Sequence, residues 1–222
     1  MPNPLIDVAS ELSEEQGNAN NRFSIFAGSF AAILIAISVT CPSWFRNEID
    51  GLDQAHNVLT SVFFYDFYRD VPVSNPVDYV YDYQRQYPAL GFTFWPPLFH
   101  AITGAVMHIT GPEILTVRYV LAGFTVVFVL SMYWAVTRGS SWKVAICAVF
   151  LAATTPVLFQ LENTNMLEVP SLAMSFLALW MYQRLIHRGT WNSTTEAILA
   201  AIACAAIVYT KQPAVFILPA IA

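Results

Sequence analysis

The sequence predicts an all-α protein, a polytopic transmembrane bundle of five to six hydrophobic helices with interfacial helices in a long first extracytoplasmic loop. The first reason is composition, because 56% of the 222 residues are hydrophobic and only 11% are charged. Soluble domains carry about 25% charged residues. The second reason is the presence of several apolar runs close to the roughly 20 residues that a bilayer crossing requires. The aromatic share of 14% is also typical of membrane-interface belts.

The N-terminal segment, residues 1–22, predicts a cytoplasmic tail. Residues 1–21 are polar and acidic and contain no basic residue, so they do not have the pattern of a secretory signal. The apolar run from about Phe23 to Cys41 is then a retained first span. Residues 23–222 form one transmembrane domain, which we expect to be truncated at the C-terminus because Pro219 to Ala222 lie inside an apolar stretch.

Four further apolar runs predict spans near residues 115–136, 142–161, 169–186 and 196–209, and a broken sixth run begins after Pro213. Basic residues predict their orientation, because Lys and Arg are enriched in cytoplasmic loops. Arg138 and Lys143 share one short loop, and Arg184 and Arg188 share another. The N-terminus is therefore expected in the cytoplasm, with residues 42–112, residues 160–168 and Lys211 on the extracytoplasmic side.

The loop 42–112 predicts two helices near the membrane surface. Residues 53–70 have Leu59, Val62 and Phe63 on one helical face, a pattern suited to the interface. The apolar piece 92–109 is short and interrupted by Pro96-Pro97, which favours a juxtamembrane helix. An ordinary span is the alternative for this piece.

Polar residues that could carry chemistry occur at three places on this outer side. Asp53 and His56 follow the first span, near Glu48 and Asp50, and Glu162 and Glu168 flank the start of the fourth span. Asp53 is either a helix N-cap or a general base. Glu168 is either a cap or a functional carboxylate facing a cavity. Lys211 either binds a lipid phosphate or snorkels.

Two carboxylates and a cation beside lipid suit transfer of a sugar from a polyprenyl-phosphate donor. One carboxylate would take the proton of the acceptor nucleophile, and the cation would stabilise the leaving phosphate. A transporter or flippase-like protein and a non-catalytic membrane scaffold are the alternatives. Transporters place ionisable residues at the midplane, whereas the spans here are almost free of charge. The one clear exception in the sequence is Arg118, near the outer start of its span.

Composition also argues against other classes of partner. The net charge of −5 and the absence of a basic cluster in the sequence argue against nucleic acid. The cysteines, Cys41, Cys147 and Cys204, have no metal-ligand spacing and are interpreted as small hydrophobic residues. A divalent cation beside the carboxylates is chemically possible, but no metal site is predicted and the cofactor is left open.

The order of five short motifs provides a further indication of function. They are Asp53-Gln54-Ala55-His56, Pro96-Pro97-Leu98 after Tyr87-Pro88, Arg118, Leu167-Glu168-Val169-Pro170, and Thr210-Lys211. This order resembles the N-terminal part of the GT-C superfamily of membrane glycosyltransferases, and within it family 39. That family includes protein O-mannosyltransferases and bacterial aminoarabinose transferases.

The resemblance implies a role for each of these positions. Asp53 and Glu168 would be catalytic, and the substrate-binding residues would be Lys211, His56, Arg118, Glu162 and Tyr87. The partners would be the bilayer, a polyprenyl-phosphate sugar and a protein, lipid or glycan acceptor, at the bacterial inner membrane. The sequence departs from the family at Gln54, where Glu is usual, and at Phe94-Trp95, where aminoarabinose transferases carry Glu and Lys, which argues against that sugar.

Overall fold

The structure, a computed structural model, describes residues 4–46, 48–49, 51–72, 74–88, 90, 95–188 and 194–221, with the side chains of 4–22, 187–188, 217 and 220–221 left out. Within these ranges the regular structure is helical, and no strand occurs. The helices are α1 Pro4–Trp44, α2 Leu52–Asp70, α3 Pro76–Gln86, α4 Leu98–Thr110, α5 Ile114–Val136, α6 Trp142–Ala153, α7 Pro156–Glu162, α8 Glu168–Arg188, α9 Thr194–Thr210, a 3₁₀ helix Gln212–Ile217 and α10 Leu218–Ile221. The predicted all-α class is confirmed.

The predicted hydrophobic runs are all present as helices, although they differ in length. Within the described residues, two helices are long and apolar enough to cross a membrane, the Phe23–Trp44 part of α1 and the whole of α5. The pair α6 and α7 makes a third if its 73° bend lies inside one span. Helix α8 has 21 residues, roughly 30 Å at 1.5 Å per residue, and α9 is a shorter apolar helix.

The bend between α6 and α7 corrects the expectation of one continuous run over 142–161. Pro156 begins α7, and a proline ring clashes with the carbonyl one turn earlier and removes an N–H donor. The hydroxyls of Thr154 and Thr155 donate to the carbonyls of Phe150 and Leu151, at 2.7 and 3.1 Å. The Phe150 carbonyl also accepts the Thr154 N–H, whereas the Thr155 hydroxyl pairs the Leu151 carbonyl, which the break would otherwise leave without a partner.

Helix α5 is the centre of the bundle and packs on α1, α6 and α8. Half of the apolar window of α5 is buried, against 28% for that of α1. Helix α1 is less buried because only one of its sides packs on the bundle. The α1–α5 approach is close at Gly28, where a Cβ would lie 2.0 Å from the Tyr133 hydroxyl oxygen. Trp134 on α5 also donates to the Ser29 hydroxyl at 3.1 Å.

The loop helices α2 and α4 pack against each other. At Gly104 of α4, an added Cβ would lie 2.7 Å from the backbone nitrogen of Tyr65 on α2, so glycine is required by the close approach. With 13 residues, α4 is shorter than the roughly 20 that a crossing requires. Residues 92–94 of the predicted piece lie outside the described part of the chain, and its juxtamembrane position stays a prediction.

The buried face of α2 differs from the expected one. Phe63 is buried and Val62 packs on the core as predicted, but the other buried residues of α2 are polar: Gln54, Asn57, Thr60 and Ser61. The amphipathic pattern identified the apolar side correctly and missed this polar face. A polar face is buried here because it meets the polar α7–α8 connection and a histidine of α4.

Candidate active site

Lys211 and Glu168 form an ion pair at one end of the bundle. The Lys211 Nζ lies 2.5 Å from Glu168 Oε1 and 5.6 Å from the ring centroid of Trp95. The two side chains are 20% and 31% exposed, so the pair is partly screened by solvent. The structure thus brings together two residues that the sequence predicted separately, and adds an aromatic face over the ammonium.

Local backbone geometry positions both members of this pair. Helix α9 ends at Thr210, Lys211 is extended, and Gln212 begins the 3₁₀ helix with Pro213 in its first turn. The helical structure is therefore interrupted at Lys211, and the side chain of Lys211 is not part of either helix. Glu168 is the first residue of α8, which begins one residue before the predicted run 169–186. A carboxylate is favourable there because the first turn of a helix carries partial positive charge.

Asp53 lies on the rim of a groove of about 470 Å³ between α2 and the α7–α8 segment. Gln160, Leu161, Thr164 and Met166 form the opposite wall. Gly51, with φ +91°, is the N-cap of α2, so Asp53 is in the first turn and is not the cap. Asp53 is exposed, and its carboxylate has no hydrogen-bond partner within the described part of the chain. It is therefore accessible to a molecule in the groove.

A buried amide joins the Asp53 helix to the segment that leads to Glu168. Asn57 is one turn after Asp53, on the same face of α2, and its Nδ2 donates to the Asn165 carbonyl at 2.6 Å. Both residues are almost fully buried. Their remaining side-chain polar atoms have no partner among the described residues. Asn165 lies three residues before Glu168, so this bond fixes the Asp53 helix relative to the ion pair.

His100 of α4 extends the buried polar contact. Its Nδ1 lies 3.3 Å from the Ser61 hydroxyl of α2, and the ring is fully buried. Burial lowers the pKa of His100 to about 4, so the ring is neutral at pH 7. The sequence reasoning missed Asn57, Ser61 and His100. The sequence signals for this contact were Asn57 and Ser61, at positions i and i+4 of one predicted helix, and a histidine within the apolar piece 92–109.

Glu162 ends α7 and is fully buried. Neither of its oxygens has a partner within the described ranges. Its neighbour Leu161 lines the Asp53 groove, and Asn163 donates to the Val39 carbonyl at 2.9 Å. An ionised carboxylate without partners is costly in such a position. Glu162 is thus behind the groove wall, and its substrate-binding role stays a prediction.

Arg118 is 4% exposed and donates to two backbone carbonyls, Ser43 at the end of α1 and Glu48 in the following loop, the latter at 2.8 Å. It therefore clamps the chain that leads from the first span to α2. These contacts support a positioning role for Arg118, which the sequence had placed among substrate-binding residues.

His56 and Tyr87 have different relations to the groove. His56 is half-buried on α2, between Asp53 and the buried Asn57. Tyr87 is 41% exposed, and its ring is 5.0 Å from that of Tyr83, which itself packs 5.0 Å from Phe63. Phe63 is about ten residues along α2 from Asp53, roughly 15 Å. The structure therefore places Tyr87 in an aromatic cluster away from Asp53.

In the part of the chain that the structure describes, no group of three or more His, Cys, Asp or Glu residues lies close enough to hold a metal ion. The three cysteines are free thiols.

Comparison with known proteins identifies the class of the protein. Residues 95–222, more than half of the chain, match the family model of dolichyl-phosphate-mannose-protein mannosyltransferases, and the chain belongs to this family. No curated protein and no solved structure matches the chain. The protein is therefore an integral membrane glycosyltransferase of the GT-C type, as the motif order had indicated. The matched region contains Arg118, Glu162, Glu168 and Lys211, whereas Asp53, His56 and Tyr87 precede it.

Proposed function

We propose that the protein transfers a sugar from a polyprenyl-phosphate donor to an acceptor on the extracytoplasmic side of the membrane. The observation that carries the proposal is the position of Asp53 on the groove. The Asn57–Asn165 hydrogen bond joins its helix to the segment that leads to Glu168, and Glu168 pairs with Lys211. This arrangement supplies a carboxylate for the acceptor and a cation for the donor phosphate at one end of the helix bundle. The family description makes mannose the first sugar to test.

In the proposed reaction, Asp53 takes the proton of an acceptor hydroxyl bound in the groove. The acceptor oxygen forms a bond to the anomeric carbon of the sugar. The bond from that carbon to the phosphate oxygen breaks, and its electron pair stays on the departing polyprenyl phosphate. Lys211 stabilises the charge on this phosphate.

Glu168 would hold the Lys211 ammonium in position before the donor binds. Its second oxygen, Oε2, is buried without a partner among the described residues, so the carboxylate is available for a second contact. The face of Trp95 limits the other side of the ammonium. The donor phosphate would then meet a cation whose position is already fixed, which lowers the cost of ordering it.

The proposed orientation of the protein in the membrane rests on the charges of its loops. Arg138, Lys143 and Arg184 lie at the end of the bundle opposite to the Asp53 groove, and basic loops are cytoplasmic. We therefore propose a cytoplasmic N-terminal tail, residues 1–22, and an extracytoplasmic segment 42–112. The proposed compartment is the bacterial inner membrane, with a protein, lipid or glycan as the acceptor.

The Asp53→Asn change tests this function, because it removes the charge and keeps the size of the side chain. In membranes that contain the full-length protein, transfer from a labelled polyprenyl-phosphate sugar should fall by about 10²-fold or more. Glu48→Gln is the matched control, since it removes an exposed carboxylate near the same helix start, and it should retain activity.

Other outcomes decide between the alternatives. Equal transfer by the wild type and Asp53→Asn would show that Asp53 is not the base. If the wild type transfers sugar from none of the donors tried, a transporter or a non-catalytic scaffold becomes the better interpretation.

A further inference from the structure

Gln54 lies beside the proposed base Asp53 and lines the same groove. It is the third residue of α2, which begins at Leu52. Its side chain is only 7% exposed, and it makes no hydrogen bond within the part of the chain that the structure describes. Side-chain amides that are so little exposed are usually hydrogen-bonded. The amide of Gln54 is therefore available to a molecule bound in the groove.

The packing of α2 fixes the position of Gln54. Gln54, Asn57 and Ser61 are three and four residues apart, so they share one face of the helix. Asn57 donates to the Asn165 carbonyl at 2.6 Å, and the Ser61 hydroxyl lies 3.3 Å from His100 Nδ1. These two contacts hold the helix face on which Gln54 lies. The fold thus positions the Gln54 amide at the groove without using its hydrogen-bonding groups.

The lining of the groove suits a neutral ligand that is rich in hydroxyl groups. Among the described residues that line it, only Asp53 is charged. Gln160 and Thr164 on the opposite wall add uncharged polar side chains. An amide both donates and accepts hydrogen bonds, and a sugar hydroxyl does the same. The Gln54 amide is therefore chemically complementary to a sugar.

The proposed reaction brings the transferred sugar close to Gln54. The acceptor oxygen lies about 2.6–3.2 Å from the Asp53 carboxylate when the proton is taken, and about 3–3.5 Å from the anomeric carbon that it attacks. The anomeric carbon is then within roughly 6 Å of the carboxylate. Because Gln54 is the next residue and lines the same groove, hydroxyl groups of the sugar ring come within reach of its amide.

We propose that the Gln54 amide binds a hydroxyl group of the transferred sugar and so contributes to the selection of the donor. The proposal rests on the function proposed above, because it concerns the same groove. It gives the amide a partner that the described part of the chain does not supply. Compared with the Glu that is usual at this position in the family, Gln keeps an accepting oxygen, adds two N–H donors and removes a negative charge.

The test compares the binding of two lipids to the purified full-length protein by isothermal titration calorimetry without acceptor. The probes are polyprenyl-phosphate mannose and polyprenyl phosphate without the sugar. In Gln54→Met, which keeps the size of the side chain, the Kd of the mannosyl lipid should rise about fivefold to a hundredfold, and the Kd of polyprenyl phosphate should be unchanged. Gln54→Ala should give the same result. Gln86→Met, which removes an exposed amide of α3, is the matched control and should bind both lipids as the wild type does.

Three results would overturn the proposal. One is unchanged binding of the mannosyl lipid by a folded Gln54→Met or Gln54→Ala protein. Another is an equal loss of binding for both lipids, which would show a structural effect on the whole site. The third is unchanged binding of the mannosyl lipid together with a raised KM for the acceptor, which would assign the amide to the acceptor.

The calorimetry involves no sugar transfer, so the role of Gln54 and the proposed function can fail separately. Unchanged binding in Gln54→Met, with sugar transfer by the wild type intact, would contradict only the role of Gln54. A loss of mannosyl-lipid binding in Gln54→Met, in a protein whose wild type transfers no sugar, would contradict only the transfer reaction.

Discussion

At the scale of single residues, Lys211 and Glu168 are 43 positions apart in sequence and meet at 2.5 Å. Lys211 is at the break between two helices, and Glu168 is at the start of another. The two side chains can meet because each is attached where a helix begins or ends. The ends of the helices, more than their apolar faces, therefore position the residues of the proposed site.

Lys211→Met should weaken the handling of the donor phosphate. Hydrogen bonds to charged groups contribute about 1.5–3 kcal/mol, so kcat/KM for the donor should fall by about tenfold to a hundredfold. The acceptor KM should stay unchanged, which a purely structural role would not predict. Steady-state sugar transfer by the full-length protein measures both, with Lys143→Met as a control at the opposite end of the bundle. Wild-type kinetics in Lys211→Met would contradict the assignment.

His100 should make stability depend on pH. Its pKa is lowered by burial to about 4, against about 6.5 for an unfolded histidine. The unfolded chain takes up the proton first, so the free energy of unfolding should decrease as the pH falls from about 6.5 towards 4, and recover as the pH rises. The melting temperature of the detergent-solubilised protein at pH 7 and pH 4.5 measures this. The drop should be smaller in His100→Asn, and an equal drop in both proteins would show that other groups cause it.

At the scale of elements, the contact between α2 and α4 decides where the polar face of α2 lies. The helices approach closely at Gly104, and His100, one turn earlier on α4, meets Ser61 of α2. Asn57 then reaches the α7–α8 connection from the same helix. The orientation of Asp53 is consequently set by two packing contacts on the polar face of α2.

Gly104→Ala should destabilise the protein, because its Cβ would lie 2.7 Å from backbone at Tyr65 and 2.6 Å from the Phe64 Cβ. Overpacking of this kind costs about 1–3 kcal/mol, which should lower the melting temperature by several degrees. Gly123→Ala on α5 is the matched control, since nothing lies within 4 Å of its Cβ position. There the gain in helix propensity should leave stability unchanged or raised. Equal melting temperatures for the two variants would contradict the close approach.

The local elements could be predicted from sequence to differing degrees. The apolar runs predicted the helices because hydrophobic periodicity is a local property. The bend at Thr154–Thr155 and the polar face of α2 were missed. Pro156 was a local signal for the bend. The polar face of α2, in contrast, depends on what the helix packs against, as the burial of Asn57 and Ser61 by α4 and the α7–α8 connection shows.

At the scale of the whole molecule, the bundle has two chemically different ends. One carries Asp53, Glu168 and Lys211, and the other carries Arg138, Arg184 and three tryptophans. Helix α5 joins them, with Arg118 clamping the first end and Trp134 bonding to α1 at the second. The basic loops and the Asp53 groove therefore lie at opposite ends of one helix bundle.

This orientation can be measured by labelling single cysteines in a variant that has Cys41, Cys147 and Cys204 replaced by alanine. Ser74→Cys and Ser140→Cys both introduce an exposed thiol. A membrane-impermeant maleimide should label Ser74→Cys in intact cells, and Ser140→Cys only after permeabilisation, because basic loops are cytoplasmic. Labelling of both from outside is the result expected if α4 crosses the membrane, and would contradict the juxtamembrane assignment.

By itself, the sequence determined the all-α membrane class, the helices and the family, because composition, hydrophobic periodicity and motif order are properties of the chain alone. It also indicated Asp53, Glu168 and Lys211 as residues of interest. Only the tertiary structure decided that Lys211 pairs with Glu168 beneath Trp95, that Arg118 holds backbone carbonyls, and that Tyr87 lies away from Asp53. These relations depend on how helices distant in sequence pack together, since the distance between two side chains is set by every helix between them.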